Sequence, residues 1–271
     1  MVSVGILGPL TVTVDGRDVT PSAARLRTVL AVLALSAGTP VSAGRLAAAV
    51  WDEDLPASTR RTLTVYLTRL RRLLGAASIH TGPAGYTLVA DPDRVDALRF
   101  ARLLDEAAGA GDARTERKIL GLALDLWRGP ALADMPSAWL ADVEATRLTD
   151  LRLSALDRRI TLDLAGHHHD GLSAELRALT ARHPLRETFW AHLITTLHRT
   201  GRRADALAAY QRLYRLLADE LGIEPGPEAQ AAHRRVLAAA PGRSRRRPAP
   251  HWPACPSRAP HRRNAAATTR G

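Results

Sequence analysis

The chain of 271 residues has one cysteine, one lysine and few aromatic side chains, 4% of the total. The single cysteine, Cys255, excludes an internal disulfide framework and fits a reducing cytoplasm. With so few rings, the cores must be built from Leu, Ala and Val, which favours helices over sheets. The longest apolar run, Val29 to Leu35, falls far short of the roughly 20 residues that span a bilayer. The N-terminus alternates instead of presenting a basic segment and an apolar stretch, so no signal peptide is expected. A soluble cytoplasmic protein without membrane attachment is the expectation. The lone lysine, Lys118, follows Arg117 where a phosphate-binding loop needs Gly-Lys, so a Walker A motif is absent.

What the chain does have is arginine, unevenly spread. Residues 1–95 hold 10 Arg against 7 acids, residues 96–241 hold 20 basic and 20 acidic groups, and residues 242–271 hold 8 Arg and no acid. The net charge of +11 is therefore mostly a property of the C-terminal stretch. That stretch is rich in Arg, Pro and Ala without apolar periodicity, the composition of a disordered tail.

The stretch from Asp54 to Gly75, DLPASTRRTLTVYLTRLRRLLG, organises the rest. Pro56 suits a first helical position, with Asp54 or Leu55 as cap and Gly75 as C-terminal stop. At 100° per residue, Leu63, Tyr66, Leu67, Leu70, Leu73 and Leu74 form the stripe that wants a core. The opposite side carries Arg61, Thr64, Val65, Thr68 and Arg72, flanked by Arg60, Arg69 and Arg71. No acid lies between Pro56 and Gly75. A face of one sign calls for an anionic partner or tolerates its own repulsion as a solvated basic surface.

Its neighbours supply context. Val2 to Leu10 and Thr11 to Gly16 read as two short strands with Asp15-Gly16 as hairpin signal, and Arg17-Asp18-Val19 offers a third. Helices follow over about Ser22–Ser36, with Leu26, Leu30, Leu33 and Ala34 inward, and over Ala43–Trp51, capped by Ser42. After the basic helix come Ser78 to Thr81 and Tyr86 to Ala90, two strands around Gly82-Pro-Ala-Gly85. Small sheet, three helices and C-terminal hairpin is the layout of a winged helix-turn-helix. The third helix would enter a major groove and the hairpin, with Gly82 and Gly85, would form the wing. Arginine binds phosphate or forks onto guanine, and threonine meets a base edge or a thymine methyl. Arg60 and Arg71, nearer the apolar stripe, suit phosphate.

The runs VGILGPLTV, YLTRLRRLLG and TGPAGYTLVA resemble the N-terminal domain of the Streptomyces antibiotic regulatory protein family. Members often carry Leu-Gln-Thr-Tyr-Val-Ser-Arg-Leu-Arg where this chain has Leu63-Thr-Val-Tyr-Leu-Thr-Arg-Leu-Arg71. Thr64 and Val65 thus replace two outward polar residues. The resemblance implies a winged helix opening the chain at residue 1, with neither a receiver domain before it nor an NTPase module after.

Beyond Asp91-Pro92-Asp93 everything reads as helix, over about 97–108, 113–126, 138–166, 171–181, 185–199, 204–221 and 227–239. Gly166-His-His-His-Asp-Gly-Leu172 and Gly201-Arg-Arg-Ala-Asp-Ala-Leu207 recur at a spacing expected of tetratricopeptide-like helix pairs, which stack into an interaction surface. Val95 to Phe100, Ala123 to Leu132, His183 to Glu187, Gly201 to Ala209 and Asp219 to Glu228 resemble the bacterial transcriptional activation domain of the same family. The resemblance, covering about residues 2–241, implies a regulator that binds double-stranded promoter DNA as a homodimer or higher assembly and engages RNA polymerase.

The expected fold is mainly α: a winged helix-turn-helix over 1–95, an all-α tetratricopeptide-like domain over 96–241 and a tail over 242–271. His167, His168, His169 and Asp170 are adjacent in a loop and cannot easily converge on one ion. Trp127, Trp139 and Trp190 read as packing residues. No catalytic constellation, metal site or cofactor motif is expected. The rival reading is a tetratricopeptide-type adaptor whose basic domain binds protein or RNA.

Overall fold

A computed structural model describes residues 1–52, 58–166, 168 and 170–238. The expected cap at Asp54 or Leu55, Pro56, His167, His169 and the arginine-rich tail with Cys255 lie outside these residues. The chain opens on an antiparallel sheet of β1 (Val2–Gly5), β2 (Thr11–Val14) and β3 (Arg17–Asp18), in that order. Val2 pairs with Val14 and Val4 with Val12, while Val14 pairs with Arg17 across a two-residue turn. Both turn residues, Asp15 and Gly16, have positive φ, as a primed turn between twisted strands requires. Val4 and Val12 point into the core.

Three helices follow: α1 (Ala24–Leu35), α2 (Ala43–Trp51) and α3 (Thr59–Leu74). In α1 every residue from Thr28 to Ala34 is buried, so it is the central post of the domain. Ser42 caps α2, its hydroxyl accepting from the Arg45 amide. The described α3 begins at Thr59, after Ser58, with 16 residues, or about 24 Å. Leu63, Leu67, Leu70 and Leu74 are buried as the period predicts. Leu73 is not, being exposed, and Tyr66 is half-buried. Both lie on the same flank, about 60–80° from the leucine line. Tyr66 stacks on Trp51 at 6.1 Å, and Leu73 is left to solvent. The hairpin of β4 (Ile79–Gly82) and β5 (Gly85–Leu88) completes the winged helix.

The second half is helical: α4 (Asp96–Ala108), α5 (Ala113–Leu124), a π-helical turn at Leu140–Ala145, α6 (Thr146–Ala165), α7 (Leu172–Arg182), α8 (Glu187–Arg199), α9 (Arg203–Leu221) and α10 (Pro227–Ala238). The continuous helix expected over 138–166 is thus interrupted near its start. No described helix is long and apolar enough to cross a membrane. Trp190 is buried, Trp127 packs edge-on to Phe100 at 5.4 Å, and Trp139 is half-buried.

The apolar cores do not divide where the sequence suggests. One runs from Val4 through the winged helix, α4 and α5 into Leu148, Ala155 and Leu162 of α6. The other starts on the opposite side of α6, at Leu153, Ile160 and Leu164, and fills α7–α10. At the junction of the halves the Asp96 carboxylate accepts the Ile6 amide at 2.7 Å and the Leu7 amide at 3.0 Å. Asp134 accepts the Leu10 amide, while the Arg128 and Leu132 amides donate to Leu7 and Ile6 carbonyls. The segment between β1 and β2 is held by the helical half as a strand is held by a sheet. Asp96→Ala would orphan two amides, and the expected loss is about 1–3 kcal/mol in urea unfolding.

Candidate nucleic-acid interface

Burying the leucines of α3 turns its other side to solvent. Arg60, Arg61, Thr64, Val65, Thr68, Arg69 and Arg72 are all exposed. Arg61 and Arg72 lie about 160° and 180° from Leu63, at the centre of the outer face. The side chains of Arg60, Arg61, Arg69 and Arg72 make no hydrogen bond or ion pair among the described residues, and α3 contains no acid. Thr64 donates its hydroxyl to the Arg60 carbonyl at 3.0 Å and Thr68 to that of Thr64 at 2.8 Å. With their protons held by the helix, these threonines offer solvent an acceptor oxygen and a methyl group. Beside them Val65 adds a branched apolar side chain, 44% exposed.

Arg71 behaves differently from its neighbours. Its Nε donates to the Ile79 carbonyl at 2.9 Å and a terminal nitrogen to the Thr81 hydroxyl at 2.6 Å. It is half-buried and ties α3 to β4. Arg71, expected from the sequence to suit phosphate, serves in this geometry as a strut between helix and wing.

The wing is stapled a second time. Val41 exchanges both backbone hydrogen bonds with Tyr86, each at 2.9 Å, one residue before the cap of α2. Gly85 makes this approach feasible. Its φ is +135°, and a Cβ there would overlap the Val41 carbonyl. Gly82, its partner across the turn, has no such demand, its nearest neighbour being the His80 ring at 3.8 Å. Pro83 and Ala84 form the exposed tip. Helix, wing and the entry to α2 therefore form one unit with a cationic face that is unpaired among the described residues. Val41 went unrecognised because a single bridge is too short to read as a strand.

Comparison with known proteins agrees with this geometry. The description "Bacterial transcriptional activator domain" matches residues 95–237, and "Transcriptional regulatory protein, C terminal" matches residues 18–88. Regulatory protein DnrI of Streptomyces peucetius is 40% identical over 265 residues, 90% of this chain and 95% of that protein. The chain belongs to the Streptomyces antibiotic regulatory protein family. As a member it is a DNA-binding transcriptional regulator. Regulatory protein AfsR of Streptomyces coelicolor is 38% identical, over 88% of this chain but 24% of its own length. The solved structure of Mycobacterium tuberculosis EmbR, in complex with a low-affinity phosphopeptide, superposes with a TM-score of 0.80 at 35% identity. That match covers 87% of this chain and 65% of EmbR, so what the longer relatives do as wholes is not carried over.

The two wing glycines separate by mutation. Gly85→Ala is expected to lower stability by about 1–3 kcal/mol through backbone strain and the Val41 clash. Gly82→Ala should stay within about 0.5 kcal/mol in the same thermal or urea unfolding experiment.

Proposed function

We propose that the protein activates transcription of a secondary-metabolite gene cluster by binding repeated half-sites in promoter DNA and recruiting RNA polymerase. The observation that carries this reading is the face of α3: four arginines unpaired among the described residues, bracketed by a wing held at Arg71 and Val41. Arg61 and Arg72 fork onto guanine O6 and N7, Val65 and the threonine methyls suit thymine methyls, and Arg60 and Arg69 take phosphates. The wing follows the adjacent backbone or minor groove. The helical half supplies the protomer contacts and the polymerase-facing surface, as stacked helix pairs of this kind offer an interaction surface. The protein acts in the cytoplasm as a non-enzymatic recruiter.

Fluorescence anisotropy of the full chain tests this, with its own upstream promoter and a scrambled duplex compared across a salt series. A preference of about a thousandfold or more is expected for the promoter. Arg61→Ala should remove about 1–3 kcal/mol from the cognate site alone, whereas Arg69→Ala should weaken both duplexes alike and reduce the salt slope by about one. Equal weak binding to both duplexes, unaffected by Arg61→Ala, would overturn the reading in favour of an adaptor whose basic face binds protein or RNA.

A further inference from the structure

The helix beneath the reading face, α2, is held from two sides. Leu46, Ala47, Ala49 and Val50 are buried in the core that it shares with α1 and α3. Arg45 and Asp52, seven residues and about two turns apart, reach instead to the helical half of the chain. The Arg45 guanidinium lies 5.3 Å from the ring centroid of Trp139 and 3.7 Å from a carboxylate oxygen of Glu144. Glu144 is buried, and its other oxygen accepts from Arg147 at 3.0 Å. At the C-terminus of α2, Asp52 adopts φ 50° and ψ −118°, a conformation that side-chain-bearing residues rarely take. From there its carboxylate faces the Trp139 amide at 3.4 Å.

Trp139 and Glu144 belong to the segment in which the helix leading into α6 widens to a π turn, Leu140–Ala145. Such a turn adds a residue to the helical circuit and re-aims the side chains around it, and π turns are frequent at functional sites. Here the turn has Leu140 fully buried in the core and Glu144 beside Arg45.

Besides the apolar core and the Arg27–Asp134 ion pair from α1, the winged helix meets the helical half through two further sets of contacts. The first is the sheet end, where Asp96, Arg128 and Asp134 hold the segment between β1 and β2 above a continuous apolar core. The second is the contact on α2. The second contact adds a constraint on orientation to that of the first. What α2 fixes is consequential, because α3 packs on it and the wing joins the chain at Val41, one residue before its cap.

We infer that Trp139 and Glu144, acting on Arg45 and Asp52, are positioning residues for DNA recognition: they fix the angle at which α3 is presented relative to the helical half, and so select the half-site spacing that two bound protomers accept. This rests on the reading of α3 as the groove helix and of repeated half-sites as the target. The contact suits orientation better than cohesion. Its arginine is half exposed, and exposed ion pairs add little to folding, yet stacking on a ring combined with a carboxylate contact allows few geometries.

The test uses full-length Trp139→Ala and Glu144→Gln, neither of which removes a positive charge from the DNA-facing side, with Trp139→Phe as the conservative variant. Each is titrated against a duplex with one half-site and against two-half-site duplexes whose spacing is stepped by single base pairs around one helical turn (about 10.5 bp). The native chain and Trp139→Phe should prefer one spacing by about tenfold over its neighbours. In Trp139→Ala and Glu144→Gln the preference should fall to about twofold, with single-half-site affinity unchanged. Hydrogen exchange of the free proteins supplies an arm independent of DNA: α2 amides should exchange faster in those two variants, while β1 and α9 amides do not. An unchanged spacing profile or unchanged α2 exchange overturns the inference. So does a parallel loss of single-site and paired-site affinity with a lowered melting temperature, which marks a merely structural contact. If the native chain binds none of the duplexes, the groove reading fails and this inference with it, while the exchange arm still reports whether the contact holds α2.

Discussion

Four leucines hold a helix whose other side repels itself. Leu63, Leu67, Leu70 and Leu74 are each less than 5% exposed, and burying a leucine is worth about 1.5–3 kcal/mol. Against that stands the repulsion along a face with no acid. Arg69 and Arg72, at i and i+3, are like-charged outer neighbours, and such surface pairs cost roughly 0.2–0.5 kcal/mol. Burial wins by a wide margin. The helix can therefore leave its arginines without counter-charges, which is the state in which they attract a polyanion most strongly.

That margin explains why the basic face is legible in the sequence. A 3.6-residue stripe of leucines opposite an acid-free run specifies both the buried and the exposed side. Ser42 as cap, Asp15-Gly16 as turn and the helix pairs around Gly166 and Gly201 were legible for the same reason, each being written within a few adjacent residues. What escaped was set by partners distant in sequence. Arg71 looks like any other arginine until β4 lies beside it. Leu73 sits on the expected flank, but whether that flank is covered depends on where Trp51 ends up. The π turn at Leu140–Ala145 has the composition of an ordinary helix.

The junction at residue 95 shows the same limit. Composition changes there from mixed α+β to uniformly helical, and charge changes from net positive to neutral, so the sequence reads as two bodies. Yet the carboxylates of Asp96 and Asp134 cap amides of the segment between β1 and β2, and leucines of α6 finish the core that Val4 begins. Backbone amides left exposed after β1 need acceptors, and the helical half supplies them. The cohesion of the pair comes from groups about 90 and 124 residues apart in sequence, which no local pattern announces.

A shared core also changes what the helical half can do to DNA binding. Where domains are joined by a linker, an event on one reaches the other only through effective concentration. Here α6 is lined on one side by the core of the winged helix and on the other by that of α7–α10. Packed interiors respond to displacement as units because they contain few voids in which a shift could be absorbed. A contact made along α7–α10 would therefore bear on a helix that also borders the core holding α2 and α3. On the proposed reading, the neutral helical half would not need to touch DNA to influence its recognition. It needs only to be held firmly at one end and touched at the other.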